Sequence, residues 1–107
     1  MRLEIESGER NLESDLFDTK ELSRGKEIIP VEGVKVTYDG TLERGVLEFS
    51  KVIYLMVDIA KEISIGVFSA WLYDKLKGKN VKLKIKDEEV EINKSKIEEK
   101  IREKFKT

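Results

Sequence analysis

The chain has 107 residues, of which 40% are charged and 39% hydrophobic, and its net charge is −1. That length suits one domain with a real but modest core. It holds no cysteine and no histidine, which excludes disulfides, thiolate chemistry, serine–histidine and cysteine–histidine catalysis, and most zinc sites.

In chain order, Arg2-Leu3-Glu4-Ile5-Glu6 alternates and predicts a short strand with Leu3 and Ile5 facing inward. Residues 10–22 set Leu12, Leu16, Phe17 and Leu22 among acids and predict a short helix. Ser23 to Lys26 turns, and Pro30 interrupts what would otherwise be a strand from Glu27 to Val31. Val34, Val36 and Tyr38 share one face of the next strand. Asp39-Gly40 signals a turn, and Thr41 is a candidate helix cap.

Val46 to Lys77 contains no proline and predicts one long amphipathic helix that dominates the fold. Glu48, Lys51, Asp58, Lys61 and Glu62 fall on one side of its wheel. Phe49, Val52, Ile53, Met56, Ile59, Ala60, Ile63, Val67, Ala70 and Trp71 fall on the other. Gly66 marks a place for a kink or a close neighbour, and Gly78 for the helix end. The longest uncharged stretch, Ile63–Tyr73, is eleven residues, against about 20 for a membrane span. With no apolar leader at residues 1–6, a cytoplasmic protein without membrane association is expected.

Lys79 to Asn93 predicts a hairpin with Val81, Leu83 and Ile85 inward and Lys82, Lys84 and Lys86 outward. A two-residue loop at Asp87-Glu88 would set Ile85 opposite Val90, Leu83 opposite Ile92, and the lysines opposite Glu89 and Glu91. Asn93 or Ser95 caps a last helix, whose buried stripe is Ile97, Ile101 and Phe105. The reading is a single α+β domain, 1–107, in the order β-α-β-α(long)-β-β-α. Its sheet is four-stranded and mixed, with helices mainly on one face.

Charge is unevenly spread. Residues 1–74 carry 9 basic and 15 acidic side chains, and residues 75–107 carry 12 and 7. The comb Lys79, Lys82, Lys84, Lys86 is the candidate nucleic-acid contact. It lacks interleaved aromatics, so an ion-paired solvent face is favoured for it. Phe68, Trp71, Leu72 and Tyr73 are the candidate interaction residues, weighed against a core role. Asp15, Asp18 and Glu21 do not match a calcium loop, and Asp58 with Glu62 reads as surface pairing beside Lys61. No glycine-rich phosphate loop occurs. No catalytic residue, cofactor, metal or small-molecule substrate is expected. Abundant lysine and glutamate with no glutamine fits a thermophilic source.

The segment Ser69-Ala70-Trp71-Leu72-Tyr73-Asp74-Lys75-Leu76-Lys77-Gly78, followed by an alternating strand and Glu89-Val90-Glu91-Ile92, resembles the effector-associated constant component family. Asp39-Gly40-Thr41-Leu42 before an apolar stretch, and the turn Glu21-Leu22-Ser23-Arg24-Gly25, are similar too. The resemblance implies a small α+β accessory or adaptor without catalysis, encoded in prokaryotic conflict or signalling systems beside effectors such as proteases. It makes Trp71 and Leu72 signature positions. The expected function is therefore protein–protein interaction, with a protein partner or as a homo-oligomer, and nucleic-acid binding is the alternative.

Overall fold

The computed structural model describes residues 1–45 and 48–106. Six strands and three helices follow one another as β1 (Arg2–Ser7), α1 (Leu12–Phe17), β2 (Glu27–Val31), β3 (Val34–Glu43), β4 (Lys51–Ile59), α2 (Ile65–Leu76), β5 (Val81–Ile85), β6 (Glu88–Val90) and α3 (Lys94–Phe105). A short 3-10 turn, Glu62–Ser64, leads into α2. The strands form a single sheet in the order β2-β3-β4-β1-β5-β6, and every neighbouring pair is antiparallel. The expected four-stranded mixed sheet, and the expected element order, are thus corrected to six antiparallel strands and β-α-β-β-β-α-β-β-α.

The largest correction concerns the long helix. Residues 51–59 are strand β4, and only 65–76 are α-helical. Its expected start at Val46, with Leu47, lies outside the described residues. Lys-Val-Ile-Tyr-Leu-Met-Val-Asp-Ile is rich in β-branched and aromatic side chains, which suit a pleated surface. A nearly continuous apolar run satisfies a helical and a strand period equally, so periodicity alone does not choose. The sheet chooses, because β1 needs a partner on each side and β4 supplies one from Arg2↔Met56 to Ser7↔Lys51.

Pro30 does not abolish its strand either. Ile28 pairs with Val36 and Val31 with Val34, so Ile29 and Pro30 together oppose Lys35 in a bulge on the edge strand β2. Asp39-Gly40 is likewise a bulge inside β3 and not a turn: both residues oppose Tyr54, between Tyr38↔Leu55 and Thr41↔Ile53. Gly40 takes φ +102°, which suits a residue without Cβ. Thr41 is therefore a strand residue, not a helix cap.

The β5–β6 loop is Lys86-Asp87, with φ of 49° and 70° at the two positions. Leu83 then faces Val90 and Lys84 faces Glu89. The expected register is off by two residues, which leaves the inward set inward. Asn93 caps α3, its side chain accepting from the Lys96 amide at 3.1 Å.

All three helices cover one face of the sheet. Leu12, Leu16 and Phe17 of α1, Ile65, Phe68, Leu72 and Leu76 of α2, and Ile97 and Ile101 of α3 are buried in one cluster with the inward residues of the strands. The other face bears Glu4, Glu6, Tyr54, Met56, Lys82 and Lys84; no described helix lies over it, although Arg44 and Phe49 reach across its Glu6–Lys82 end, where Val52 is buried. No helix among the described residues is long and apolar enough to cross a membrane.

Candidate functional site

Two surfaces stand out, one apolar and one mixed. The apolar one lies where the β2–β3 hairpin meets the start of α2. Glu32-Gly33 closes the hairpin, and Gly33 takes φ +84°. Ser64 Oγ donates to the Glu32 carbonyl at 2.9 Å, and the Ala60 amide donates to the Gly33 carbonyl at 2.8 Å. A Cβ on Gly33 would lie 2.7 Å from Ser64 Oγ. The turn is thus seated against the residues that start α2. Between them opens a cleft of about 680 Å³ bounded by Val31, Glu32, Gly33, Lys61, Ile63, Ser64 and Val67.

Three large apolar side chains stand at this corner in solvent: Ile63 is 83% exposed, Ile29 71% and Val67 60%. Their exposure follows from the phase of α2. Ile65, Phe68, Leu72 and Leu76 recur at three- and four-residue steps and are fully buried, so Ile63 and Val67 point the opposite way. The wheel drawn across 46–77 set Ile63 and Val67 on the covered side, because it carried one helical phase through residues that form a strand. The true phase is readable from 65 onward, where the apolar stripe restarts.

The mixed surface is the sheet face that carries no helix. Its rows follow from the register: Lys84, Glu4 and Tyr54 align across β5, β1 and β4, and Lys82, Glu6 and Val52 align in the next row. The Arg2 guanidinium lies over the Tyr54 ring at 4.6 Å, and Lys82 Nζ over the Phe49 ring at 5.3 Å. Arg44 donates to Glu6 Oε1 at 2.6 Å, and Lys84 stands 3.8 Å from Glu6 Oε2. The Arg44 hydrogen bond, helped by the charges of Arg44, Lys84 and Lys82 and opposed by burial, holds the Glu6 carboxyl below its ordinary value. Beside Tyr54 the β3 bulge leaves a shallow recess of about 480 Å³, bounded by Arg2, Arg24, Asp39, Gly40, Thr41, Leu42 and Tyr54.

No family model, curated protein or solved structure matches this chain. The likeness carried by Ser69–Gly78, Glu89–Ile92, Asp39–Leu42 and Glu21–Gly25 therefore rests on those segments alone.

The structure separates the expected site residues. Phe68 and Leu72 have no exposure. Trp71 is half-buried and stacks on Phe68, with ring centres 5.7 Å apart. Tyr73 is half-buried with Lys77 over its ring. Within the lysine comb, only Lys82 and Lys84 share the helix-free face. Lys79 reaches Asp15 Oδ2 of α1 at 3.4 Å, and Lys86 sits in the hairpin turn. The partners of Lys82 and Lys84 across the sheet are Glu6 and Glu4 of β1, residues 76 or more positions away in sequence. Tyr54 and Phe49, the aromatics missing from β5 itself, are supplied by β4 and the residues before it.

One polar cluster is enclosed. Lys51 points to the helix-covered side, where Nζ donates to Glu13 Oε1 at 2.6 Å and to the Arg10 carbonyl at 2.9 Å. Glu13 Oε2 accepts from Thr41 Oγ1 at 3.2 Å, and Thr41 Oγ1 and the Tyr38 hydroxyl are 2.5 Å apart. Every charge there has a partner, so the cluster reads as a fastening of α1 to the sheet.

Proposed function

We propose that this chain is a non-catalytic interaction domain that pairs with a second copy of itself through the corner formed by β2 and the start of α2. The observation that carries the reading is the exposure of Ile63, Ile29 and Val67 around a cleft they only partly line. A protruding isoleucine beside a recess is a self-complementary arrangement: a two-fold axis lets each Ile63 enter the other copy's cleft. The rim charges agree, since Lys61 and Glu32 line the same cleft and so offer one charge of each sign to a second copy. The lack of histidine and cysteine removes histidine-based and thiolate catalysis, and the resemblance to accessory components favours the same reading.

Three apolar side chains support a weak, concentration-dependent pair and not an obligate one. Sedimentation equilibrium over a wide concentration range tests this. The unmodified chain should shift from monomer to dimer, and Ile63→Asp, which alters a solvent-facing position, should hold it monomeric with an unchanged melting temperature. A strictly monomeric parent at the highest concentration refutes the reading. An Ile63→Asp variant that dimerises as well as the parent refutes the assigned corner.

A further inference from the structure

We infer that the helix-free face of the sheet binds single-stranded nucleic acid, with Tyr54 and Phe49 as stacking platforms for its bases. This goes beyond self-association and uses a different surface. Single-strand recognition needs exposed rings for bases and cations for the backbone. The sequence shows the cations of β5 without the rings; the fold brings the two together from separate segments.

Each ring is already paired with a mobile cation, Arg2 over Tyr54 and Lys82 over Phe49. Both rings are half-buried, and the basic side chain lies over the face of each at 4.6 Å and 5.3 Å. It swings aside to a phosphate when a base takes its place. The rings belong to adjacent rows of the sheet: Tyr54 lies with Glu4 and Lys84, and Phe49 meets Lys82 of the row that holds Glu6 and Val52. Rows two residues apart along a strand are separated by roughly 7 Å, a span that successive nucleotides of an extended strand can follow.

Charge favours the same ligand. Arg2, Arg24, Arg44, Lys82 and Lys84 surround the two rings, against Glu4, Glu6 and Asp39. All three carboxylates are held by arginines, Glu4 by Arg2 at 3.8 Å, Glu6 by Arg44 at 2.6 Å and Asp39 by Arg24 at 3.1 Å. The cations in excess are Lys82, over the Phe49 ring, and Lys84, in the row of Tyr54 and 3.8 Å from Glu6. The bulge at Asp39-Gly40 opens the recess beside Tyr54 and puts Leu42, 51% exposed, at its edge as an apolar contact for a base.

The test is fluorescence anisotropy with labelled oligo-dT and oligo-U at low salt, repeated as salt is raised. The parent should bind, with log affinity falling against log salt at a slope of about −2, as expected when about three phosphates are neutralised. Tyr54→Leu should weaken binding by roughly 5- to 150-fold, the range for loss of one stacked base. Tyr54→Phe, which keeps the ring, should bind like the parent, and Phe49→Leu should act like Tyr54→Leu. Circular dichroism melts confirm that each variant is folded. Ile63→Asp should leave nucleic-acid binding intact, and Tyr54→Leu should leave self-association intact, so that each reading fails separately. No salt-dependent binding by the parent overturns the inference. So does equal binding by Tyr54→Leu and the parent, or equal competition by polyglutamate and oligo-U, which would reduce the face to a generic cation surface.

Discussion

Replacing Lys51 by methionine should destabilise the chain by about 3 kcal/mol, close to the lower bound for breaking a buried ion pair by removing one partner. The Lys51 side chain is 8% exposed and that of Glu13 is 17%. The pair is therefore shielded but not sealed, which sets the figure at the low end. Methionine preserves the length of the stem and loses two hydrogen bonds, to Glu13 Oε1 and to the Arg10 carbonyl. Most of the cost comes from the carboxylate left behind, whose remaining partner is Thr41 at 3.2 Å. That origin gives a distinctive second expectation. The double variant Lys51→Met with Glu13→Leu removes both charges and should recover to within about 1 kcal/mol of the parent. Urea unfolding, with m-values compared to confirm a common unfolding reaction, measures all four corners of the cycle. A double variant whose loss equals the sum of the two single losses would show that the charges do not depend on each other. Lys51→Met within about 0.5 kcal/mol of the parent, the usual effect of a surface change, would show that the fastening of α1 contributes nothing.

Acid should reveal the Glu6 pairing. Its folded pKa lies below the ordinary value of 4.5, so its stabilisation is complete above that pH and is lost as pH falls through the lower folded value. Arg44→Gln should therefore flatten the acid limb of a stability–pH curve below about pH 4.5, while an unchanged limb would remove Arg44 as the cause. Gly33→Ala should cost about 1–2 kcal/mol, because φ is +84° and the new Cβ would meet Ser64 Oγ at 2.7 Å. Adding Ser64→Ala should return only the steric part of that loss, and full recovery would mean that the backbone conformation imposes no penalty.

The legible parts of the fold were those with a local signature. Leu3 and Ile5, Val34 and Val36, and Leu83 and Ile85 alternate against charged or polar neighbours, and all six are buried. The Asn93 cap and the Ile97–Ile101 stripe mark α3 in the same way. Residues 51–59 carried no such signature. Met56 and Val52 on the outer face are as apolar as Leu55 and Val57 on the inner, so the alternation that marks a strand was hidden. Pro30 and Asp39-Gly40 were read as breaks because a bulge and a turn use the same residues, and only the partner strand tells them apart. Both surfaces were missed for related reasons. Ile63 and Val67 need the phase of α2, and Tyr54 and Phe49 need the knowledge that β4 lies beside β1.

The place of β1 has a consequence for how the chain is made. It lies inside the sheet, bonded on one side to residues 51–56 and on the other to 81–85. During synthesis at roughly 5–20 residues per second, β1 therefore waits several seconds for either neighbour. The β2–β3 hairpin closes locally in that interval, while Leu3 and Ile5 remain without a home on the ribosome. Until a neighbour arrives the half-built sheet leaves these two apolar side chains in water, and such a state is open to aggregation.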